Sequence, residues 1–415
     1  MRESFRIAVR QFDPFESALR KQWADFVRHT GTTLELELFP LDLHALHQAL
    51  FEGDALQNGT FDLAFINTDW LAQADRQNAV VDLSALLASD PPQDYPGGWS
   101  PSLLRLQSMQ GRILGVPYHD GPETLIYRSD LFGDSKEQSA YVQLHGRDLH
   151  PPTTWEEFHQ IARFFQRPLG GLYGAAFAAF PDGHNTVYDF LLQLWTRGGE
   201  LFDSQGRLTL MTSEAEAALT FYRTMLQDGS ATHPDCHHFD SVAAGMAFAR
   251  GEVAMMVNWF GFAAMAQTIA ESVVKGCVDL APIPHSAGGA STSLNIYWLL
   301  CIPSGGPCAD VSYAFLRHCM AREMDKLLTL EGGVGCRRTT WSDPEVNAVI
   351  PFCHRLEAMH KNARELPALE AWPQIASLID ELIVRVIQSQ APIPELLKDA
   401  QAAAARRGLA RIPRE

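Results

Sequence analysis

Basic charge is scarce in this chain: 33 Lys and Arg stand against 49 Asp and Glu, a formal charge of −16. That balance argues against a nucleic-acid groove, which needs clustered positive charge. The seven cysteines (Cys236, Cys277, Cys301, Cys308, Cys319, Cys336 and Cys353) are odd in number and include no C-x-x-C. This excludes a closed disulfide framework and a zinc ribbon, and buried thiols acting as small apolar residues are expected. The longest apolar stretch, Val253–Ala270, is interrupted by Asn258, Gly261, Gln267 and Thr268, so no membrane-spanning helix is expected. A P-loop, a dinucleotide fingerprint, a nucleophile elbow and a metal motif are all missing, and neither a cofactor nor a metal is expected. The run His233-Pro234-Asp235-Cys236-His237-His238 has the wrong spacing for a zinc knuckle and reads as a surface loop. Phe5–Val9 already alternates as a strand, so no signal peptide is expected within this chain.

What is present is a globular composition, 46% hydrophobic and 20% charged over 415 residues, enough for two or three domains. Phe5–Val9, Leu34–Phe39 and Phe61–Ile66 read as strands, separated by helical spacing at Leu19, Trp23, Phe26 and Val27 and at Leu43, Leu46, His47, Leu50 and Phe51. Strand–helix–strand–helix–strand at these lengths implies a parallel sheet. Asp13 follows the first strand, and Asn67-Thr68-Asp69-Trp70 follows the third. Asp69 reads equally as a helix cap, and Trp70 as a packed helix residue. Asp240–Met265 reads as helix, glycine stop, buried strand (Val253–Val257), then Asn258, Trp259, Phe260 and Phe262. Ligands sit beyond the carboxyl ends of strands in open α/β sheets, where Trp259 divides evenly between contact and core, and Phe262 reads as core. Thr154 and Glu157 form a capping-box signature, and Lys136–Pro152 reads as a polar surface excursion.

The pattern "F..G.VAM.VN" in this central stretch resembles the family 1 extracellular solute-binding proteins of ABC importers, the carbohydrate-binding relatives of the maltose-binding protein. The resemblance runs along the chain, through "W..F...TG..LEL...PL" to "FDLAFI..DW", through "GRILGVPY" and "LIYRSDLF", and through "LLQLW..GGELFDSQGRLTL". It implies an α/β, two-lobed, class II periplasmic-binding fold. Each lobe would be a mostly parallel sheet flanked by helices, with three interlobe crossings. Residues 1–116 and 286–335 would form the N-terminal lobe, and 117–285 and 336–415 the C-terminal lobe. It also implies a small carbohydrate bound in the cleft by hinge closure and delivered to the membrane subunits of an ABC transporter. The protein would be a periplasmic or extracellular monomer; without a signal peptide in this chain, a cytoplasmic location stays open.

Ligand contacts are expected at Phe12, Asp13, Asp69, Trp70, His119, Asp120, Asn185, Tyr188, Trp259, Phe260, Asn295, Tyr297, Arg338 and Trp372. Aromatic rings suit the apolar faces of a pyranose, while Asp, Asn and Arg suit its hydroxyl rim. His119 reads more readily as structural, and Tyr188 has helix packing as its other reading. Trp259-Phe260 replace the small turn usual after "VN", which favours a small ligand. Arg337-Arg338 keep an acidic sugar open, with a salt bridge as their other reading. Two other classes compete. A glycoside-processing enzyme would use a pair from Asp13, Asp69, Asp120 and Glu123. A sensor would share the fold and differ only in its partner.

Overall fold

The computed structural model describes residues 3–411. Its principal strands are β1 (Ser4–Arg10), β2 (Glu35–Leu41), β3 (Leu63–Asn67), β4 (Val116–His119), β5 (Glu123–Arg128), β6 (Tyr173–Ala176), β7 (Val253–Trp259), β8 (Val278–Ala281) and β9 (Trp298–Cys301). The chain divides into two units, residues 1–122 with 295–361 and residues 123–294 with 362–415.

The first unit is built on a five-stranded sheet in the order β2-β1-β3-β9-β4. β1 runs parallel to both β2 and β3, while β9 is antiparallel to β3 and β4. Four strands therefore share one direction. β3 is buried along its whole length, as expected for a strand covered on both faces. Helix α1 (Asp13–Thr30) buries Phe15, Leu19, Trp23 and Phe26, and Gly31 ends it at a φ of 70°. Phe5 stacks on Trp23 at 4.8 Å, and Phe315 meets both edge-on.

The second unit carries a four-stranded sheet in the order β8-β5-β7-β6. β6, β7 and β8 run one way and β5 against them. Helix α2 (Trp155–Phe165) lies so close to β6 that a Cβ on Gly174 would fall 1.8 Å from the Ala162 carbonyl oxygen; only glycine fits there. The capping box at the start of α2 is present: Thr154 Oγ1 accepts from Glu157 N at 3.1 Å, and the Glu157 carboxylate reaches back to Thr154 N. Thr154→Ala is expected to cost about 1 kcal/mol, read as a lower urea midpoint; an unchanged midpoint would mean that the cap contributes nothing.

Several details differ from the sequence reading. The surface excursion Lys136–Pro152 contains a helix, Ser135–His145, capped by Asp134 and closed by Gly146 in the left-handed conformation. The segment after Trp259 is helical at once, over Phe260–Thr268. Residues 336–361, expected in the second unit, belong to the first. There Trp341 Nε1 donates to Gly335 O, and Arg337 Nη1 donates to Met320 O. The first crossing also falls later than residue 117, since β4 pairs with β9 and Asp120 N donates to Val334 O. Ser293 joins the second unit through a 2.5 Å bond from its hydroxyl to Glu123 O.

Candidate functional site

In the first unit, strand direction decides which residues meet. β1, β3 and β4 end at one sheet edge, and β9 begins there, with Trp298 opposite both Asn67 and His119. The residues just beyond those ends are Phe12 and Asp13, Thr68 and Asp69, His119 and Asp120, and Asn295 to Tyr297. Four separate stretches of the sequence thus meet at one edge.

The side chains there fall into two groups. Phe12 packs edge-on against Phe15 at 4.9 Å, and Trp70 is 2% exposed among His47, Phe51 and Trp298. Tyr297 is 1% exposed, with its hydroxyl bonded to Leu103 O. These three are packing residues. His119 is held neutral: burial pushes its imidazole down to about 4, against the upward pull of Asp120, and Nδ1 lies 3.1 Å from Val334 O. Asp69 does not cap the helix Leu71–Arg76 that follows, which has no side-chain cap; Asn67 caps the short turn Thr68–Trp70 before it, accepting from Asp69 N. Asp13 is exposed at the first turn of α1.

Asp120 and Asn295 are different. Both are buried, and neither atom of the Asn295 amide has a hydrogen-bond partner. Asp120 Oδ2 lies 2.6 Å from His360 Nε2, while its Oδ1 has none. His360 Nδ1 is 3.0 Å from Ser102 Oγ, which bonds Ser100, and the imidazole stacks on Trp341. Ser, His and Asp here are a buried strut. The serine is only 6% exposed, and its oxygen is engaged by Ser100. Sequence gave no sign of His360, which lies 240 positions from Asp120.

In the second unit, β5 begins where β7 ends, with Glu123 paired to Trp259. The Trp259 ring meets Tyr188 at 5.7 Å and 85°. Tyr188 belongs to helix α3 (Asn185–Trp195). Asn185 is tied down locally, its Nδ2 donating to Asp182 Oδ2 at 3.0 Å. Asn258 is a strut too, donating to Ser241 O and accepting from Trp259 N. Phe260 is fully buried. Trp372 opens the helix Trp372–Gln388, buried, with an indole N–H that has no partner. Glu123 Oε2 is likewise buried without a partner.

Arg338, expected at the ligand, is exposed and pairs with Glu357 at 2.8 Å. Arg337 is the buried one, bonded to Asp94. A salt bridge is the other reading of this arginine pair, and each arginine makes one. His233 packs on Tyr173, and no group of three His, Cys, Asp or Glu among the described residues could hold a metal ion. Burial pushes the Cys236 thiol up to about 12. No helix among the described residues is long and apolar enough to cross a membrane.

Two α/β units with a polar, partly unpaired strand edge define a class of ligand-binding folds. Residues 24–339 match the bacterial extracellular solute-binding protein family, and the chain belongs to it. The family binds solutes and is not enzymatic. A Brucella abortus (strain 2308) binding protein is 22% identical over 374 residues, covering 90% of this chain and 85% of the relative. Among solved structures, the maltose-bound MalE3 of T. maritima is similar with a TM-score of 0.85 at 22% identity, covering 97% of this chain and 99% of its own. An ABC transporter solute-binding protein from Agrobacterium radiobacter K84, in complex with ribitol, gives 0.83 at 22% identity, covering 98% and 100%. At such identity the likeness carries the fold alone.

Proposed function

We propose that this protein captures a small neutral sugar or polyol outside the cytoplasmic membrane and hands it to the membrane subunits of an ABC importer. Binding is proposed to engage both units and close them on the ligand, with the protein acting as a monomer. The observation that carries this reading is the Asn295 amide, buried with its oxygen and nitrogen both unbonded. An unpaired buried amide costs free energy, and a ligand hydroxyl both donates and accepts. Asp120 Oδ1 beyond the adjacent strand end offers an acceptor of the same kind. The rings of Trp259 and Tyr188 supply apolar faces in the second unit. The maltose and ribitol carried by the similar structures are of this chemistry.

Asn295→Leu separates function from stability. Removing both unpaired atoms at similar volume is expected to leave folding unharmed or raise stability by about 1–3 kcal/mol, while binding is lost. A thermal-shift screen of monosaccharides, pentitols, hexitols, uronic acids and maltose gives the ligand; one at a hundredfold excess over its Kd adds about 2.7 kcal/mol to the folded state. Intact binding by the leucine variant, or a screen without a hit, would sink the reading.

A further inference from the structure

The second unit holds a carboxyl that neither the packing nor the ligand reading has used. Glu123 is 4% exposed at the first position of β5. Its cross-strand neighbour is Trp259, so the two side chains share a face. Trp259 lies against Tyr188, and the next residue of α3, Asp189, is 8% exposed with Oδ2 accepting from Tyr222 at 2.9 Å. Glu123 Oε2 is buried and unbonded.

We propose that Glu123 is a specificity-determining ligand contact, its buried and unpartnered carboxyl donating an O–H to a ligand oxygen beside the Trp259 and Tyr188 rings. This rests on the sugar or polyol reading above. A buried carboxyl without a cationic partner favours its neutral form, and no cation bonds to Glu123 or Asp189 among the described residues. The titratable groups around them are Asp182 and His184 before α3, Tyr222 and Cys236 behind it, and Asp380 on the helix bonded to Thr186. Burial and then Asp189 hold Glu123 well above the usual carboxylate range, and burial lifts Asp189 to about 7. A neutral carboxyl beside an aromatic pair is a donor without charge. It suits a hydroxyl or ether oxygen and discriminates against an anion less than a carboxylate would.

The sign follows from the proton. Binding that needs protonated Glu123 weakens as the pair ionises, so affinity falls with rising pH, by up to about tenfold per pH unit beyond the apparent pKa of the pair. The test titrates ribitol, D-mannitol and maltose by calorimetry from about pH 5.5 to about pH 8.5, in buffers of differing ionisation enthalpy, with infrared detection of the protonated carboxyl. The expected result has four parts. A protonated-carboxyl band is present near neutral pH and weakens in Glu123→Gln. Wild-type affinity falls on the alkaline side. Glu123→Gln, which keeps a donor but cannot titrate, binds with a flat profile. Asp189→Asn moves the fall to lower pH. Absence of the band, or wild-type affinity that is flat or rises with pH, overturns the donor. If the band is present and none of the three probes binds at any pH, the donor role falls together with the sugar reading, and the intact band shows that the ligand class was wrong and not the carboxyl chemistry.

Discussion

Arg337→Ala is expected to destabilise the first unit by about 3–5 kcal/mol, the range for truncating a large buried side chain that also anchors a hydrogen-bond network. Arg337 is 0% exposed. Its Nη1 donates to Gln93 O and Met320 O, both at 2.9 Å, and Nη2 to Asp94 Oδ2 at 2.9 Å. The guanidinium lies over the Trp99 ring, 4.6 Å from its centroid. Asp94 is more than a third exposed and also bonds Arg322, so the ion pair itself contributes little. The loss comes instead from two carbonyls left without a donor, from the void under Trp99, and from the missing cation–π contact. Arg337→Lys is not expected to rescue, because one ammonium cannot reach three acceptors in the geometry of a planar fork. Urea unfolding followed by Trp fluorescence measures both variants; a loss below about 1 kcal/mol for the alanine would show that the network is not holding residues 336–361 in place.

The two adjacent arginines also show where sequence reading stops. Arg337 and Arg338 are the same residue type one position apart, and one is sealed while the other is solvated. Nothing in their composition distinguishes them. What does is the turn into the short helix Arg338–Trp341, whose start points the first inward. By contrast, the strand–helix order of the first 67 residues, the capping box at Thr154 and the strand from Val253 were legible, because periodicity and caps are local signals. The polar edge of the first sheet was legible for a related reason: parallel strands send the loops after them to one side. Its aromatic members were not. Trp70 and Tyr297 have the chemistry of sugar contacts, but their rings are consumed by packing against neighbours distant in sequence, such as Trp298 and Leu103. Glu123 and Asp189 lie 66 positions apart. A cross-strand pair, one ring contact and one helical step connect them.

His360→Ala is the second large effect, expected at about 3–5 kcal/mol because it strands a buried acid. His360 and Asp120 are 2% and 0% exposed at the side chain and 2.6 Å apart. With the imidazole gone, Asp120 keeps no partner on either oxygen, and Trp341 loses the ring stacked on it at 5.3 Å. Asp120→Asn is the milder change, since an amide still bonds the imidazole and carries no charge to bury; about 1 kcal/mol is expected. The pair also bears on binding. Holding Oδ2 on His360 fixes the direction in which Oδ1 points, and Oδ1 is the atom proposed above to meet a ligand. His360→Ala should therefore weaken ligand binding by more than about tenfold under conditions where the protein stays folded, although His360 touches no ligand in this account. Arg337→Ala, equally destabilising, should leave affinity within about threefold, because a stability loss alone changes apparent affinity only through the folded fraction. Equal binding losses in the two variants would reduce the strut to general stability; a loss confined to His360→Ala would make it the support that aims Asp120.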